Sequence, residues 1–105
     1  MELPNSNYIN NLAGADLVFK NKLIEIIKGE HPLECEAYLG CIEASNFNEA
    51  AEAVHKLKNK ISMLGLELSY VLAQEHEEAL KNKDMSKHDS FLAILQSMSH
   101  YIKKL

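Results

Sequence analysis

Between Asn46 and Gly65 the apolar residues Phe47, Ala50, Val54, Leu57, Ile61 and Leu64 are separated by steps of three, four, three, four and three. A helix of about 3.6 residues per turn keeps all six on one side, whereas a strand would scatter them over both faces. The segment is therefore an amphipathic helix with one buried face. Its limits are written into it. Asn46, with Glu49 three positions on, resembles a capping box in which the carboxylate reaches back to the cap's amide. Gly65 supplies the left-handed residue that ends a helix.

Helical periodicity runs through almost all of the remaining chain, and strand signals are weak. A short helix is expected from Asn5 to Leu12, with Tyr8, Ile9 and Leu12 as its apolar contacts and Gly14 as its stop. Asp16 can cap a long second helix in which Leu17, Ile24, Ile27, Cys35, Tyr38 and Ile42 recur at helical spacing. Gly29 and Pro32 interrupt it. Because the stripe resumes in phase, a kink is expected there, with two separate helices as the other possibility. A fourth helix is expected from Leu66 to Lys81, with Leu68, Val71, Leu72 and Ala79 inward. Asn82, Lys83 and Asp84 form a turn. Ser86 and Asp89 resemble a second capping box, ahead of a last helix that buries Phe91, Leu95, Met98, Ile102 and Leu105. The expected architecture is all-α: an up-down-up-down four-helix bundle with a short extra N-terminal helix. Residues 1–105 form one domain.

Composition narrows the function. With 105 residues, 47% of them apolar and 25% charged, the chain can build one core and is not disordered. A formal net charge of −4 argues against a protein built to bind nucleic acid or an anionic membrane. No apolar run approaches the roughly 20 residues that cross a bilayer. The polar start Met1-Glu2-Leu3-Pro4 carries no signal-peptide pattern. Cys35 and Cys41 are too few for a disulfide scaffold and read as reduced thiols of a cytoplasmic protein.

On the stripe helix, His55 lies about 100° around from Val54, on the flank of the core face. Ala51, Lys58, Asn59 and Ser62 share that side. Lys58, at i+3, neighbours the imidazole. Lys56 and Lys60 add charge, and the run from His55 to Lys60 contains no acid, so a local positive patch is expected on an acidic protein. A flanking imidazole with an ordinary pKa of about 6.5 is largely neutral and nucleophilic near neutrality. Phosphoryl transfer depends mainly on positioning and on cations beside the phosphoryl oxygens.

His55, Leu57, Lys58 and Gly65 match in type and spacing the His-x-Leu-Lys-Gly motif, with its later glycine, of histidine-containing phosphotransfer (HPt) domains. Gly14-Ala15-Asp16 and Asn46-Phe47 also look like family features, and with the helix pattern the resemblance covers most of the chain. It implies that His55 is the phospho-acceptor and that Lys58 stabilises the phosphoryl group. Lys56, Asn59, Lys60 and Ser62 would lie on the binding surface, and Gly65 would be structural. It implies a carrier with no kinase or phosphatase activity and no cofactor of its own, and a monomer is expected because each helix has one apolar face and none to spare. The partners would be receiver domains of response regulators or hybrid kinases, which supply Mg²⁺. Asn59 departs from the pattern, because the family usually has glycine there to leave the histidine open. Lys60 also replaces a residue that is commonly small. Both motivate a second expectation, an HPt-like module that binds receivers or kinases without being phosphorylated. An unrelated helical adaptor is a third.

The remaining candidates read as packing. His31 and Cys35 are four apart, a spacing usable for metal, but Cys41 is off that face and no second ligand pair stands out, so no metal site is expected. His76, His88 and His100 form no evident constellation and read as surface or boundary residues. Lys81 could add a second cation near His55. No hydrolase triad or glycine-rich phosphate loop is present.

Overall fold

The computed structural model describes residues 2–105. Met1, which opens the polar N-terminal stretch and the single domain read from the sequence, lies outside the described residues. The stripe of three and four steps folds as the helix it demands. Five helices follow in order: α1 (Asn7–Ala13), α2 (Leu17–Glu43), α3 (Phe47–Met63), α4 (Glu67–Lys81) and α5 (His88–Ile102), with no strand among the described residues. Ala50, Val54, Leu57, Ile61 and Leu64 are buried, and Phe47 packs partly against them. The α3–α4 interface is the most extensive and α2–α3 the next, while α5 touches both α4 and α2. One core is thus shared by α2 to α5, with Ile9 of α1 joining it.

The helix ends follow from local chemistry. The Asp16 side chain accepts from the Phe19 amide and starts α2, and the Asn46 side chain accepts from the Glu49 amide and starts α3. At the end of α3 the Gly65 amide donates to the Ser62 carbonyl and the Leu66 amide to the Ile61 carbonyl, with Gly65 at φ 71°. This is the left-handed closure that glycine favours. A Cβ on Gly65 would also meet the Asn5 side chain at 2.6–2.9 Å. Gly65 therefore lets the N-terminal segment cross the α3–α4 turn, where the Asn5 amide donates to the Leu64 carbonyl. Glu2 then accepts from the Leu68 and Ser69 amides at the exposed start of α4.

Several expectations are corrected. Helix α1 spans Asn7–Ala13 rather than Asn5–Leu12, and of its expected contacts only Ile9 is buried, while Tyr8 and Leu12 are exposed. Helix α2 runs unbroken through Pro32, so the two-helix alternative does not apply. Lys28, whose carbonyl loses its helical donor at Pro32, and Pro32 itself are both exposed, and water can take the donor's place. Leu17 is exposed at the start of α2. On α4, Leu68 and Val71 point outward, Leu68 with 73% of its surface exposed. The inward face is instead Ala73, His76 and Leu80. A histidine occupies a core position there, which a reading based on apolar residues passes over. The Ser86–Asp89 box does not form. Lys87 is the N-cap of α5, with no side-chain cap, and the Ser86 amide donates to Asp84.

Candidate functional site

His55 stands on the outward flank of α3 with 68% of its side chain exposed. The stripe that buries Val54 and Leu57 leaves no other place for it. Its Nδ1 faces the Glu77 Oε1 of α4 at 3.4 Å. A carboxylate at that nitrogen favours the tautomer with the proton on Nδ1, which leaves the Nε2 lone pair free.

Glu77 is shared. Its Oε1 also accepts from Lys58 Nζ at 2.9 Å, and its Oε2 lies 3.9 Å from Lys81 Nζ. Glu77 and Lys58 are both largely buried, at 13% and 11% side-chain exposure. The Lys58 ammonium sits 5.5 Å from the centre of the Tyr70 ring, a cation–π contact. Burial by itself raises the Glu77 carboxyl, but the hydrogen bond and charge of Lys58, followed by those of His55, outweigh it and hold the group below its ordinary 4.5.

The charge pattern differs from the one expected. The run from His55 to Lys60 has no acid within it, yet the neighbouring helices supply three. Glu77 takes Lys58, while Glu30 and Glu34 of α2 take Lys60 at 2.8 and 3.4 Å. Lys58 and Lys60 are buried, so the expected solvated positive patch is a set of ion pairs at the helix seams. Ala51 is buried as well, where α3 meets its neighbours. Lys56, Asn59 and Ser62 are exposed as expected. A groove of about 500 Å³ lined by His55, Lys56, Asn59, Lys60 and Ser62 runs along one side of the histidine. A second, of about 610 Å³, joins His55 and Lys56 to Glu77 and Lys81 on the other.

Reading the sequence missed Glu77. On α4 alone it is one acid among several, and it acquires a role only once the register of α4 against α3 sets it beside His55 and Lys58. His76, expected at the surface or boundary, is fully buried, and so is His31. His31 Nε2 lies 3.4 Å from Cys35 Sγ and 3.2 Å from Ser99 Oγ. Both cysteines are free, and burial pushes the Cys35 thiol up to about 11. No group of three or more metal-capable side chains occurs among the described residues, and none of their helices is long and apolar enough to cross a membrane. Compared with known proteins, the chain matches no family model, no curated protein and no solved structure.

Proposed function

We propose that this domain is a histidine phosphotransfer protein that relays a phosphoryl group to or from receiver-domain aspartates in a multistep two-component phosphorelay. The observation that carries the reading is the presentation of His55: an exposed imidazole with Nδ1 against the Glu77 carboxylate, which leaves Nε2 as the nucleophile. In the proposed step the Nε2 lone pair attacks the phosphorus of an aspartyl phosphate in line. The P–O bond to the aspartate breaks, and its electron pair leaves on the aspartate carboxylate. The ring gains one positive charge and no proton. The Nδ1–H stays against Glu77, whose charge offsets that of the ring. Mg²⁺ belongs to the partner receiver in this scheme. The domain is a carrier, without kinase or phosphatase activity or a cofactor of its own.

The three-residue connections Ala44–Asn46 and Leu64–Leu66, together with the return of α5 onto α2, support an up-down-up-down four-helix bundle with α1 as the extra helix. A cytoplasmic monomer that engages response-regulator or hybrid-kinase receivers, with no nucleic-acid or membrane partner, completes the reading.

Lys58 has a double part in it. It holds Glu77 in place, and it is the cation proposed to stabilise the phosphoryl group. Its burial and its pairing to Glu77 also favour the second reading, a module that docks on a receiver or kinase without being phosphorylated. The two separate in one experiment. A phosphorylated receiver is mixed with the domain, and acid-labile, base-stable label is followed, with His55→Gln as the control. Label on the wild type and none on the variant supports the relay. Receiver binding with no label, unaffected by His55→Ala, supports the docking module.

A further inference from the structure

A second group of polar side chains lies away from His55, where α2, α4 and the start of α5 meet. The Tyr38 hydroxyl of α2 is 2.7 Å from Nε2 of His76 on α4 and 2.7 Å from Nδ1 of His88, the first residue of α5. Tyr38 and His76 are fully buried, and His88 is half-buried. The Phe91 ring closes the cluster, 5.1 Å from both Tyr38 and His76. We propose that Tyr38, His76 and His88 form a proton-operated latch, which fastens the first turn of α5 to α2 and α4 and releases it when the network takes up a proton.

The direction of the chain follows from which atoms have partners. His76 Nδ1 is buried with none. A proton there would be an orphaned buried donor, which costs more and occurs less often than an orphaned acceptor. The His76 proton therefore sits on Nε2 and is donated to the Tyr38 oxygen. Tyr38 donates its own proton to His88 Nδ1, and the His88 Nε2–H is left for the half-exposed edge. Every hydrogen in the neutral cluster then points one way, with one proton per contact.

Two nitrogens of the neutral cluster lack a proton: His76 Nδ1, which is buried with no partner, and His88 Nδ1, on the half-buried ring, which accepts from Tyr38. Once occupied, the latter donates to the Tyr38 oxygen. Either the Tyr38 oxygen accepts from both rings and its own hydrogen is left without a partner, or that hydrogen turns to His76 Nε2 and the His76 proton moves to Nδ1, where it has no acceptor. Uptake of one proton thus orphans a buried N–H or O–H, or breaks a contact to Tyr38. The charged groups bearing on His76 are His88, which opposes its protonation, and two residues of the α4–α5 turn: Asp84, which favours it, and Lys87, which opposes it. Burial is the largest influence, and together they hold His76 down to about 4. Lys87 provides no side-chain cap, so the latch is the side-chain tether at this end of α5.

The test uses the whole domain. Heteronuclear NMR reads the imidazole tautomers, and amide exchange, corrected for its intrinsic pH dependence, reads Phe91 and Leu92. The latch predicts His76 protonated on Nε2 and bare on Nδ1 at neutral pH. Between about pH 7 and about pH 5, exchange at Phe91 and Leu92 should rise ~tenfold more than at the α3 amides. His88→Asn keeps an acceptor for Tyr38 but cannot titrate, and it should abolish that difference. A His76 proton on Nδ1 at neutral pH would overturn the proposal. So would α5 protection that tracks α3 across the range, or an acid response that persists in His88→Asn. The tautomer measurement needs only the wild type.

Discussion

His55 and His76 are imidazoles on adjacent helices, 21 positions apart in the sequence, and their surroundings assign them opposite work. His55 is mostly in water, with a carboxylate at one nitrogen and open grooves on both sides. His76 is fully enclosed, with a phenol at one nitrogen and nothing at the other. The first arrangement tolerates a positive ring and exposes a lone pair. The second excludes charge and spends its hydrogen bond on holding helices together. Residue type alone says little about an imidazole. The partner at each nitrogen, and the access of water, decide whether it reacts or fastens.

The comparison can be broken most sharply at its reactive end. His55→Gln should abolish phosphoryl labelling while changing unfolding free energy by less than about 0.5 kcal/mol, because the side chain is exposed. At the fastening end, Tyr38→Phe leaves the buried His76 Nε2 and the His88 Nδ1 without their partner. It should cost about 2–3 kcal/mol in urea unfolding, more than any substitution around His55.

Acid titration separates the two regions in sign and range. His76 is depressed from 6.5 to about 4. The unfolded chain therefore binds the proton first, and stability falls as pH drops through that window, by on the order of 2–3 kcal/mol. Glu77 is depressed below 4.5. Its contribution persists until the pH is under that value and is lost only below it. Urea unfolding at a series of pH values should show the earlier loss in the wild type.

Glu77→Gln leaves Lys58 without its carboxylate and His55 without its tautomer lock. A destabilisation of about 1–2 kcal/mol is expected, below the cost of breaking a fully buried pair, with labelling of His55 slowed ~tenfold. The smallest effect belongs to the turn beside the latch. Lys83 closes α4 at φ 59°, a left-handed conformation in a residue with a side chain. Lys83→Gly should stabilise the protein by up to ~1 kcal/mol in thermal unfolding.

Much of this was legible from residue spacing. The α3 stripe, the caps at Asp16 and Asn46 and the closure at Gly65 are local features, decided within a few residues. What was not legible depends on other helices. Leu68 and Val71 look like core residues, yet the core face of α4 runs through His76, whose burial is made possible by Tyr38 from another helix. Lys58 and Lys60 look like a free positive patch within their own segment, yet Glu77, Glu30 and Glu34 reach them from α4 and α2. The exposure of His55 followed from its own helix, and the identity of its neighbour did not.

The central claim is that His55 Nε2 accepts a phosphoryl group, and a small phosphoryl donor tests it without any partner protein. The domain is incubated with phosphoramidate, and heteronuclear NMR identifies the modified nitrogen. The account predicts a phosphoryl group on His55 Nε2, with Nδ1 retaining its proton against Glu77, and no such signal in His55→Gln. A wild type that stays unmodified, or one modified on Nδ1 or on another histidine, would contradict it.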